Sequence, residues 1–114
     1  MPEQPLCIED LPGSRPGIRI LRLAGPLTLF TVFGFQSKVR ADDSEALILD
    51  FTDVPLVDSA GIGALVGAYV SRERAGRILR LVGVNRRIHQ ALEVTRVESF
   101  FHFYGTIPEA EQAA

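Results

Sequence analysis

The sequence predicts a single α/β domain: a mixed, mostly parallel sheet with an N-terminal hairpin and about four helices. Three observations lead there. Strand-length apolar runs alternate with segments of helical period along the chain, the pattern of repeated strand–helix–strand crossovers. One run, Ala46-Leu47-Ile48-Leu49-Asp50-Phe51, is almost wholly apolar, as a parallel strand covered on both faces should be. The chain has 114 residues, 46% hydrophobic and 23% charged, with no long low-complexity tract, which suits one core and one domain over residues 1–114.

Each element has its own signal. Met1 to Pro5 holds two prolines and is expected to be a loose end, followed by a short edge strand over Leu6 to Leu11. Pro12 to Gly17 is dense in turn residues and should connect this strand to Ile18 to Ala24 as a hairpin, which closes at Gly25-Pro26. Leu27 to Arg40 has no breaker except Gly34 and spaces Leu29, Val32, Phe35 and Val39 as a helix facing the core. After the buried strand, Ile62, Leu65, Val66, Tyr69 and Val70 form one helical stripe in a helix starting near Ala60, with Gly76 as its stop. Arg77 to Val84 is the next strand. Asn85 is placed to cap a helix over Arg86 to Val94, Phe100 to Tyr104 is a last strand, and Pro108 to Gln112 a terminal helix.

Composition excludes several functions. Net charge is only −2 and the arginines are spread from Arg15 to Arg96, so no nucleic-acid footprint is expected. The one cysteine, Cys7, has no internal disulfide partner. No secretory leader pattern and no apolar run near the roughly 18 residues of a membrane helix is found, so a cytoplasmic protein with no membrane partner is expected.

Loops at the carboxyl ends of parallel strands carry function, and Asp58 and Ser59 lie in one of them. An enzyme is not expected there. A nucleophile elbow needs Gly two residues before the serine, where this chain has Val57, and the two histidines fall on a polar helix face (His89) and in an aromatic strand (His102). Gly61-Ile62-Gly63-Ala64-Leu65-Val66 has Val66 where a dinucleotide fingerprint requires glycine. With one cysteine, scattered histidines and no acids clustered at ligand spacing, neither metal nor cofactor is expected. Two readings of Asp58-Ser59 stay open on the residues alone. Either side chain can cap the following helix, and the same first-turn N–H groups would also stabilise a phosphate on Ser59. Gly61, Ala64, Ala68 and Ser71, opposite the apolar stripe, make a smooth face for another protein or for a neighbour within the fold.

The run LILDFTDVPLVDSAGIGAL, Leu47 to Leu65, resembles the signature of bacterial anti-sigma-factor antagonists, the STAS domain family. Gly76 before the next strand, then Ile88, Leu92, Thr95 and Val97 before Phe100, continue the likeness over about the last four-fifths of the chain. The resemblance implies a binding protein without catalysis of its own. Its serine, here Ser59, would be phosphorylated by a partner that is both serine kinase and anti-sigma factor. Once a phosphatase removes the phosphate, the protein would bind that partner and free a sigma factor. Asp58, Gly61 and Thr28 would form the phosphosite environment, with Thr28 standing where the family commonly carries an acid and Ala60 where many members carry a second hydroxyl. The expected docking surface comprises Ala60, Gly61, Ile62, Gly63, Ala64, Gly67 and Ala68. Phe30 and Phe33, off the core stripe of the first helix, are expected to contact a second copy in a homodimer or a partner. The alternative is an unphosphorylated accessory or scaffold domain of a transporter or signalling complex.

Overall fold

The computed structural model describes residues 4–113, so Met1 to Glu3 of the expected loose end lie outside the described residues. Five strands form one sheet in chain order: β1 (Cys7–Pro12), β2 (Ile18–Ala24), β3 (Ala46–Asp53), β4 (Ile78–Val82) and β5 (Phe103–Tyr104). β1 and β2 pair antiparallel as the predicted hairpin, and β2 to β5 are parallel. Every crossover therefore steps the same way across the sheet. Right-handed connections must then place α1 (Val32–Ala41), α2 (Ser59–Arg74) and α3 (Arg86–Val94) on one face.

The side chains follow from the period-2 alternation of strands. Leu21, Leu23, Leu47, Leu49, Phe51, Leu79 and Leu81 meet the three helices in the main core. Ile18, Ile20, Ala46, Ile48 and Val82 point the other way and pack with Ala110 of α4 (Ile107–Gln112). Both faces of β3 are thus covered, which is why its sequence reads as a continuous apolar run.

Four expectations are corrected. α1 begins at Val32, not Leu27, because Leu27 continues outward to bridge Val57 while Thr28 and Thr31 form a turn. Leu29 is consequently 60% exposed and off the core stripe. The expected strand from Phe100 splits: Glu98–Phe100 is a 3-10 turn, and only Phe103 and Tyr104 pair with β4. The orientation of α2 is also different from the stripe reading, since Gly61, Ala64, Leu65, Ala68 and Arg72 are its buried residues. Its small residues turn toward α1, and Ala64 and Ala68 share the main core with Phe35 and Val39. Ile62, Val66 and Tyr69 are only half-buried, and Val70 is exposed.

Candidate functional site

The carboxyl ends of the parallel strands release three loops that are hydrogen-bonded into one surface. Gly25 N–H donates to Asp53 O (3.1 Å), Leu27 N–H to Leu56 O (3.1 Å), and Asp58 N–H to Leu27 O (3.2 Å). From the third loop, Asn85 Nδ2 donates to Val54 O (3.2 Å) and Pro55 O (3.3 Å), while its Oδ1 accepts from Ile88 N–H (2.8 Å) as the predicted cap of α3.

Asp58 is the pivot of this surface. One carboxylate oxygen accepts from Gly61 N–H at 2.8 Å and caps α2, and the other accepts from Leu29 N–H at 3.1 Å, tying the loop before α1 to the same helix start. Gly61 is required by that closeness: a Cβ there would lie 2.3 Å from Leu27 O and 2.7 Å from Val57 Cγ1. Ser59 follows as the first residue of α2. It is exposed, and its hydroxyl has no hydrogen-bond partner among the described residues. The N–H groups of Ser59 and Ala60 have no acceptor within the helix, because helix geometry offers none in the first turn. Capping is therefore done by Asp58, which leaves the serine oxygen free.

Thr28 is beside this pivot but serves its own loop. Its Oγ1 accepts from Phe30 N–H (3.2 Å), its N–H donates to Thr31 Oγ1 (2.9 Å), and its carbonyl accepts from Val32 N–H (2.9 Å), which starts α1. The turn projects Leu29 and Phe30 and the first turn of α1 projects Phe33; they are 60%, 68% and 75% exposed, and Leu29 N–H is tied to the α2 start through Asp58. Of the expected docking residues, Gly61, Ala64 and Ala68 are interior, Ala60 and Ile62 are half-buried, and Gly63 and Gly67 face solvent with nothing within 4 Å of an added Cβ. Neither histidine is bonded to Ser59: His89 Nε2 contacts Glu98 (2.6 Å) and Glu93 (3.5 Å), and His102 is exposed before β5.

The STAS domain family model matches residues 13–110. The chain belongs to the STAS domain family. Among curated relatives of this STAS domain, the anti-sigma-B factor antagonist of Staphylococcus aureus is 25% identical over 85 residues, covering 72% of this chain and 79% of the relative. A Thermotoga neapolitana protein named as a TM1081 homolog is 31% identical over 64 residues, a match spanning 56% of this chain and 57% of that protein's length. The fold matches the Bacillus anti-sigma factor antagonist SpoIIAA solved in two states. The unphosphorylated form superposes with a TM-score of 0.74 at 17% identity, covering 92% of this chain and 93% of that one. For the phosphorylated form the TM-score is 0.71 at 14% identity, with 93% and 98% covered. No described helix of the STAS domain is long and apolar enough to cross a membrane.

Two features of the site escape sequence reasoning. The reach of Asn85 to the carbonyls of Val54 and Pro55 spans thirty or more residues, and nothing local to Asn85 signals it. Leu29 is a docking candidate only because the turn at Thr28 removes it from the helix.

Proposed function

We propose that this STAS domain is an anti-sigma factor antagonist, a non-enzymatic regulator of transcription. It binds an anti-sigma factor that is also its serine kinase while Ser59 is unmodified, and releases that partner once Ser59 is phosphorylated. The observation that carries the reading is the division of labour at the start of α2: Asp58 satisfies the cap, and Ser59 presents an unbonded hydroxyl at the positive end of the helix. The names of the Staphylococcus aureus relative and of SpoIIAA support it.

The docking surface of this proposal keeps Gly63 and Gly67 of the expected set and leaves out Gly61, Ala64 and Ala68, which are interior. It combines Ser59, the open faces of Gly63 and Gly67, and the exposed Leu29, Phe30 and Phe33 of the segment that Asp58 ties to the α2 start through Leu29 N–H. Glycines in a helix cost about 0.5–1 kcal/mol each relative to alanine. The packing of the domain gives Gly63 and Gly67 no reason to be there, so a close-approaching partner supplies one.

A phosphate on Ser59 brings about −1.5 to −2 charges to this surface. Buried against the partner beside Asp58 and without a counter-ion, it would cost about 3–5 kcal/mol. That corresponds to roughly two to four decades of affinity. The test is phosphorylation by the cognate kinase with labelled ATP, paired with binding by calorimetry. Wild type is labelled and Ser59→Ala is not, while Ser59→Asp binds the anti-sigma factor far more weakly than unphosphorylated wild type. Equal labelling of Ser59→Ala, or wild-type affinity of Ser59→Asp, rejects the proposal. A scaffold domain of a transporter would show neither labelling nor partner release.

A further inference from the structure

We propose that His89, Glu93 and Glu98 form a binding site for one divalent transition-metal ion, with Zn2+ the best fit. The site is independent of Ser59 and its partner. One ligand atom from each of the three residues lies within 4.8 Å of the other two. His89 and Glu93 stand four residues apart on one face of α3, and Glu98 comes from the 3-10 turn that follows.

The chain is brought back over α3 by a specific reversal. Arg96 takes φ 61°, Val97 N–H donates to Leu92 O (3.0 Å) and Arg96 N–H to Glu93 O (3.0 Å), the double bond pattern that closes a helix through a left-handed residue. Glu98 Oε2 then lies 2.6 Å from His89 Nε2, and Glu93 Oε1 lies 3.5 Å from the same nitrogen. Ligands held at about 2.0–2.1 Å around a tetrahedral Zn2+ are roughly 3.3 Å apart. Around His89 Nε2 the two carboxylates stand on either side of that spacing, and rotation of the Glu98 side chain away from the nitrogen would open room for the ion.

Orientation, charge and access agree. The imidazole is held against Phe103, with ring centroids 4.6 Å apart, so its nitrogen is aimed and not free to swing. Among the described residues, neither glutamate is paired with a lysine or arginine. Two carboxylates facing one imidazole leave a negative spot that a divalent cation would neutralise. One nitrogen and two oxygen donors suit Zn2+ and its first-row neighbours and not Mg2+. The side chains remain 35%, 54% and 38% exposed, which leaves the remaining coordination position to water.

The test titrates full-length protein with Zn2+ by calorimetry and with Co2+ by visible absorption. Expected are one saturable equivalent of Zn2+, intense tetrahedral Co2+ bands, and no response to Mg2+. His89→Ala, Glu98→Gln and Glu93→Gln each weaken binding by about tenfold or more and remove the bands. Glu93→Gln retains the His89–Glu98 contact and so reports on the metal with the fold intact. Cys7→Ser, which removes the exposed thiol, leaves binding unchanged. Absence of saturable Zn2+ binding, binding that survives Glu93→Gln and His89→Ala, or binding lost with Cys7→Ser overturns the proposal.

Discussion

The two ends of α2 are built for opposite purposes. At its start, Ser59 is exposed with an unbonded hydroxyl and Gly63 faces open space. At its end, Arg72 is 3% exposed and donates to Ser44 O (2.8 Å), Ile78 O (2.9 Å), Asp42 O (3.3 Å) and the Asp42 carboxylate (3.2 Å). Burial pulls the Arg72 guanidinium below its ordinary pKa, and the charge of Asp42 opposes that pull. One cation thereby holds the α1–β3 loop, α2 and β4 together. The same end of the sheet carries a second polar clasp, where Glu111 of α4 accepts from Ser14 N–H at 2.6 Å and Arg15 donates to the Glu111 carbonyl. The amino ends of the strands are closed by partly buried side-chain bonds, and the carboxyl ends are held by loop-to-loop bonds that leave polar atoms on the surface. Polar bonds clasp one end, and at the other the Ser59 hydroxyl stands exposed and unbonded.

The comparison can be tested by breaking each end. The largest effect is expected from Arg72→Met, which removes the charge partner of the Asp42 carboxylate and the donor to three carbonyls and should cost about 3–5 kcal/mol, read from denaturant melts. At the other end, Gly61→Ala drives a Cβ into Leu27 O and should cost about 1–3 kcal/mol, while shifting the loop that carries Leu29 and Phe30. Asp58→Ala removes the α2 cap and the tie to Leu29, with an expected loss of about 1–2 kcal/mol.

Smaller effects sharpen the contrast. Hydrogen bonding from Ser14 holds the Glu111 carboxyl below the usual glutamate pKa. A depressed carboxylate contributes stability above its unfolded pKa and loses it as pH falls through the folded value. Stability should therefore drop on acidification below the ordinary glutamate range, and Glu111→Gln should flatten that part of a pH series of urea melts. Gly67→Ala, on the open face of α2, should stabilise the free domain by up to about 1 kcal/mol while weakening partner binding measured by calorimetry. A loss of stability instead would show that the glycine serves the fold.

Much of this arrangement was legible beforehand. The hairpin, the parallel order, the cap by Asn85 and the stop at Gly76 (φ 71°) all rest on local chemistry, and local chemistry is what a short window of residues displays. The role of Asp58 as a cap was likewise available from its position. The direction faced by α2 was not. That helix carries apolar or small residues nearly all round, so its periodicity fits two orientations, and the packing of Phe35 and Val39 selects the one that buries Ala64 and Ala68. The start of α1 lies later than local helix preference indicates for a related reason: Leu27 satisfies its N–H on Leu56, a bond between distant segments that outweighs that preference.

The sequence by itself determined the order of elements, the family signature around Ser59 and the residue types that can cap, turn or bury. Those depend on neighbours in the chain. Tertiary contacts set which oxygen of Asp58 serves which loop, that Leu29 is tied to the start of α2, and that Glu98 returns over His89. These depend on loops and turns whose hydrogen bonds join residues far apart in sequence, or reverse the chain at one left-handed residue, and no periodicity encodes where such a path ends.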